Sequence, residues 1–112
     1  MASQNISLLT LSLTASGAVA QHRFVDATGA TATAAGHAVG VSRTAAADGE
    51  VFPADAVGTA IVEAAGAVAK GDAIEVGANG QAAVQSAGVT VARALQAAAS
   101  AGDLIEVLLI QN

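Results

Sequence analysis

The chain has 112 residues, nine of them acidic and four basic, for a formal net charge of -5. That is the length of a single domain, and a negative balance with no Lys/Arg cluster and only two aromatic side chains argues against a nucleic-acid surface, which needs cations for phosphates and rings for stacking. The lack of cysteine excludes disulfides and thiolate metal sites, and no run of about eighteen apolar residues escapes a Gly or a charge, so no membrane span is expected.

Apolar residues make up 54% of the sequence, but about thirty of them are alanine. Alanine buries little area at about 25 cal/mol per Å², so the core is expected to be thin and to gain from a second surface laid over it.

From the amino end, Met1 to Asn5 is a short polar leader without Lys or Arg. The run after it is interleaved with Ser and Thr, so a signal peptide is not expected, although Ala18-Val19-Ala20 looks like a small-residue cleavage site. Leu9, Leu11 and Leu13 alternate with Thr10, Ser12 and Thr14, the period of a half-buried strand. Residues 1–14 therefore read as an extended N-terminal arm whose leucines need a neighbour, on this chain or another, and residues 15–112 as a β-rich domain.

Beyond Gly17, short segments rich in Val, Ile or Thr recur between Gly, Asp and Asn signals, which is the pattern of an all-β domain. Strands are expected near residues 23–25, 31–33, 38–42, 51–55, 59–63, 73–76, 81–84, 89–95 and 104–110. Asn79-Gly80 in IEVGANGQAAV supplies the positive φ values of a type I′ hairpin turn, and VDATGAT is a second hairpin candidate. Ala94 to Ala101 can build one helical turn before Gly102 ends it. Val41-Ser-Arg43 and Val91-Ala-Arg93 each lead into an alanine run, a Gly and an acid, which suggests two like strand-loop-strand units.

Gly49-Glu50, Gly71-Asp72 and Gly102-Asp103 align so that Phe52, Ile74 and Ile105 coincide. Asp72 with Glu75, or Asp103 with Glu106, invites thoughts of acid/base or metal chemistry, but residues three apart on a strand face opposite ways. The Gly suits a tight turn into a strand, with the acid accepting local N–H bonds. In the last strand Ile105, Val107 and Leu109 share one face. Leu104, Glu106, Leu108 and Ile110 share the other, an apolar second face that is a candidate subunit interface.

His22 and His37 lie fifteen apart without metal-ligand spacing, and neither a G-x-S-x-G elbow nor a phosphate-loop lysine is present. No catalytic residue, metal or cofactor is expected. AVAKGDAIEV resembles the turn of biotinyl and lipoyl carrier domains, yet the hairpin after it lacks their lysine.

ASGAVAQHRFV, ATAAGHAVGVSRTAAADGE, GTAIVEAAGAVAKGDAIEVGANGQA and VARALQAAASAGDLIEVLLI, in that order over nearly the whole chain, resemble the small capsid cement or head decoration proteins of tailed bacteriophages. The resemblance implies a compact, barrel-like or β-tulip-like domain with an extended N-terminal arm and no enzymatic activity. It further implies a structural virion protein, made in the host cytoplasm, that sits on the outer surface of the icosahedral capsid. There it would stabilise the shell by bridging major capsid protein subunits as a homo-oligomer, a trimer before a dimer, with no nucleic-acid or membrane partner. On that reading Ile6, Leu8, Leu9, Leu11 and Leu13 would meet the major capsid protein by strand addition, and Leu104, Glu106, Leu108 and Ile110 would meet another subunit. The alternative is a small oligomeric β-domain serving as a binding or carrier module without catalysis.

Overall fold

The computed structural model describes residues 4–112, so Met1 to Ser3 of the expected arm lie outside the described residues. Eight strands follow in chain order: β1 (Ser7–Thr14), β2 (Phe24–Val25), β3 (Gly40–Ser42), β4 (Val51–Glu63), β5 (Ala73–Val76), β6 (Ala82–Val84), β7 (Ala92–Ala94) and β8 (Leu104–Leu109). They pair in the order β2-β3-β4-β8-β7-β5-β6, with β1 also on β4, as one antiparallel sheet curled into a nearly closed barrel. The fold is all-β.

Two expected strands, 51–55 and 59–63, are one continuous strand, β4. Gly58 does not break it; with φ 107° it lets the start of β1 cross closely, since a Cβ there would stand 2.2 Å from the Ile6 carbonyl oxygen. Two register shifts between Ser7 and Thr10 mark the same crossing. The expected strand at 31–33 is reduced to one bridge, Thr31 to Val25, and no helical turn forms near Ala98, which instead bridges Val68. Asn79 (φ 57°, ψ 26°) and Gly80 (φ 74°) do turn the chain between β5 and β6, closed by the Gln81 N–H donating to the Ala78 carbonyl at 3.1 Å.

The hydrogen-bond registers reveal a duplication. Thr10, Leu11 and Leu13 pair with Asp55, Ala54 and Phe52; Thr59, Ala60 and Val62 pair in the same way with Leu108, Val107 and Ile105. Val41 and Ser42 pair with Asp55 and Ala54, as Arg93 and Ala94 pair with Leu108 and Val107. Loop contacts repeat too. Val19 bridges Ala46 as Val68 bridges Ala98, and the Ala15 N–H donates to the Glu50 carbonyl as that of Ala64 donates to Asp103, both at 2.8 Å. The first half thus uses β1, β2, β3 and the start of β4; the second uses the end of β4, then β5, β7 and β8. A single strand, β4, closes one half and opens the other.

The core follows the repeat. Ala15, Val19, Ala46, Phe52 and Ala54, with Leu13 packed on them, form one cluster. Their counterparts Ala64, Val68, Ala98, Ile105, Val107 and Val62 lie in the other. Phe52 and Ile105 are the large side chains at matching places in the two clusters, and alanines and valines fill most of the positions around them.

Candidate functional site

The Gly-acid units are turns that feed strands. Gly49, Gly71 and Gly102 have φ of 85°, 93° and 94°, and the acid after each accepts an N–H three residues back: Glu50 from Ala47 (2.7 Å), Asp72 from Ala69 (2.9 Å) and Asp103 from Ser100 (3.3 Å). Phe52, Ile74 and Ile105 are buried behind these turns. Among the described residues no group of His, Cys, Asp and Glu could hold a metal ion. Glu75 instead accepts the Ser86 N–H at 2.6 Å and the Gly88 N–H at 3.3 Å. These bonds, that of Ser86 foremost, hold its carboxyl below the ordinary value against an opposing desolvation.

Of the arm residues, Leu13 lies opposite Phe52 and packs on the first-half core, and Leu11 is half-buried opposite Ala54. The neighbour that these two leucines need is β4 of the same chain. Ile6 (51%), Leu8 (76%) and Leu9 (47%) remain exposed, at and just before the register shifts.

On β8, Ile105 and Val107 are buried while Leu104 (49%) and Leu108 (43%) are exposed. Glu106 between them is half-buried, and Ile110, just past the strand, is half-buried as well. The structure brings the start of the arm, though not Leu11 and Leu13, up to β8. The Gln4 N–H reaches Glu106 Oε1 at 3.4 Å, the Ile6 N–H donates to Thr59 Oγ1 at 2.8 Å, and Thr59 is the cross-strand partner of Leu108. The start of the arm and the outer face of β8 are therefore one surface.

Two ionic clusters and a pocket were not singled out from the sequence. Arg43 pairs with Asp55, whose side chain is 3% exposed, and both meet Thr10 Oγ1; an acid inside the apolar run VFPADAV was the available signal. Arg23 ties the halves together, donating to Glu63 Oε2 at 2.9 Å and to the Asn79 carbonyl at 3.1 Å. An open pocket of about 190 Å³ lies where the halves meet, lined by the equivalent pairs Val39/Val91 and Ala56/Leu109 and reached by Ile110 and Asn112.

Fold and surfaces together define an all-β protein of two like halves whose first and last strands leave leucines exposed. The chain belongs to the phage cement protein family, whose model matches residues 3–109. Its fold is also similar to that of the N base of the head fiber protein gp8.5 of bacteriophage phi29, with a TM-score of 0.75 at 16% identity over 91% of this chain and 93% of that one. No curated protein matches the sequence. Family membership gives the chain a structural, capsid-associated role in the phage head.

Proposed function

We propose that the protein binds the outer surface of the icosahedral capsid and stabilises it by bridging major capsid protein subunits. The observation that carries this reading is the match to phage cement proteins over residues 3–109. Packaged DNA pushes a shell outward, and a clamp resists best when several modest contacts act through high effective concentration. A homo-oligomer, a trimer before a dimer, supplies those contacts by symmetry.

Residues 1–14 serve as the arm and 15–112 as the decoration domain. Leu11 and Leu13 anchor the arm on β4, which leaves Ile6, Leu8 and Leu9 to meet the major capsid protein. Leu104, Glu106, Leu108 and Ile110 meet the neighbouring subunit. Light scattering should give an oligomer, and that oligomer should sediment with expanded shells. A monomer that stays in the supernatant would sink the proposal. Removing residues 2–6 together with Leu8→Ser and Leu9→Ser, both exposed positions, should weaken sedimentation strongly while leaving the circular dichroism spectrum unchanged; undiminished binding would refute the arm's part.

A further inference from the structure

Asn112 lies against Ala38 as a strand would. Its Oδ1 accepts the Ala38 N–H at 3.0 Å, and its Nδ2 donates to the Ala38 carbonyl at 3.0 Å. One side-chain amide thus satisfies both backbone groups of one residue, which a paired residue of an antiparallel neighbour normally does. The same amide is held by the Ile110 carbonyl (2.9 Å) and faces His37 Nδ1 (3.1 Å). Ala38 sits just ahead of β3, next to Val39, whose N–H is already taken by the Val25 carbonyl at 2.8 Å. The backbone at Ala38 is therefore an edge on which a side chain stands in for a strand.

The pocket opens beside this edge. Its walls include Phe24, Val39, Val91 and Leu109. At about 190 Å³ it is smaller than the roughly 300 Å³ at which small-molecule sites begin, and it suits one large apolar side chain. Asp26 is the acid on its wall. Oδ1 of Asp26 accepts all its bonds, from the Thr28 N–H and hydroxyl and from the Ala30 N–H, and Oδ2 makes none among the described residues. A carboxylate oxygen left open at the mouth of an apolar socket, on a chain of net charge -5, complements a cation.

We infer that Ala38 and this pocket form a strand-addition site for an extended segment of the major capsid protein that carries a large apolar residue next to Lys or Arg. The segment's backbone replaces the Asn112 amide on Ala38, its apolar side chain fills the pocket, and its cation meets Asp26. Main-chain bonds supply affinity and the socket supplies selectivity. The inference rests on the proposed attachment to the shell, but not on the arm or on the oligomer.

The test uses the intact chain and shells assembled from the major capsid protein of the same phage. Asn112→Ala removes the internal competitor and should tighten shell binding by about threefold to tenfold. Asp26→Asn keeps the Oδ1 acceptor while it removes the charge and turns Oδ2 into an NH2 donor, and Ala27→Trp fills the pocket mouth from an exposed turn. Each should weaken binding by about tenfold with an unchanged thermal melt. Because the chain has no cysteine, His37→Cys labelled with a benzophenone gives one cross-linking position, on the exposed residue beside Ala38 and away from the Ala27 turn. It should cross-link to a capsid-protein segment of the stated chemistry. Shells bound with unaltered affinity by all three variants, or cross-links confined to a second copy of this chain, would overturn the site while leaving attachment standing. Failure of the parent chain to bind shells would overturn the attachment reading itself.

Discussion

Asp55 and Leu108 occupy equivalent positions in the two halves and finish their outer faces in opposite ways. Each is the strand partner of a threonine, Thr10 or Thr59, and of a residue on the strand at its other side, Val41 or Arg93. Asp55 is 2% exposed and is closed over by Arg43 and Thr10. Leu108 is 43% exposed, and the counterpart of Arg43 is Leu95. The first half seals itself with an ion pair, whereas the second leaves leucine open.

That contrast makes the ion pair testable against its own structural copy. Arg43→Ala leaves a carboxylate buried without a cation and should cost about 3 kcal/mol, less if solvent enters beside the half-exposed Arg43 side chain. Replacing both residues together, Arg43→Leu with Asp55→Leu, installs the second half's pattern and should recover most of the loss. Urea unfolding of the three proteins reads the difference. A double variant no more stable than Arg43→Ala would show that the buried charge is not what the single variant suffers from.

The open face makes the complementary prediction. Leu108→Asp should break the oligomer without unfolding the subunit, because the side chain is exposed in the isolated chain and a charge becomes costly there only when a partner buries it. Val107→Asp, one residue away and fully buried, should instead prevent folding. Light scattering and circular dichroism separate the two effects, and an oligomer of unchanged mass in Leu108→Asp would remove β8 from the interface.

How much of this was legible depended on how local the cause was. Gly49, Gly71 and Gly102 with their acids act within three residues, so their turns into strands could be read directly, as could the Asn79-Gly80 turn. The alternation that buries Ile105 and Val107 is equally local. The duplication was only half legible. The two Val-x-Arg strings suggest that Arg43 matches Arg93, but the registers match Arg43 with Leu95 and Val41 with Arg93, two positions away. An alanine-rich chain resembles itself in several registers, and only cross-strand hydrogen bonds choose among them. The unity of β4 was hidden because Gly58 falls between the two expected strands, 51–55 and 59–63, when it is there for the crossing of β1. The socket at Ala38 depends on where Asn112 lands, and no local pattern announces that.

Gly58 and Gly102 offer a matched pair for testing close approach against backbone strain. Both have positive φ, 107° and 94°, so alanine at either costs about 1–3 kcal/mol for the conformation alone. At Gly102 the added Cβ meets nothing within 4 Å, whereas at Gly58 it would stand 2.2 Å from the Ile6 carbonyl oxygen. Gly58→Ala should therefore be the more destabilising in urea, and it should also speed exchange of the Thr59 amide, which donates to that carbonyl at 2.8 Å. Equal losses at the two sites, with the Thr59 amide unchanged, would mean that β1 does not need this crossing.

Glu75 gives the loop after β6 a pH dependence of definite sign. Its carboxylate accepts the N–H groups of Ser86 and Gly88 and the Ser86 hydroxyl, and these hold its folded pKa below the ordinary 4.5. A group with a depressed folded pKa contributes fully above its unfolded value and loses that contribution as pH falls through the folded one. The Ser86 amide should accordingly stay protected from hydrogen exchange at neutral pH and lose protection, relative to core amides, as pH drops below 4.5. Glu75→Gln keeps an acceptor oxygen without the charge and should give a weaker protection that no longer varies over that range. If wild-type Ser86 protection stayed level through the same fall in pH while the Gln variant behaved identically, the loop would be held by its own backbone and not by Glu75.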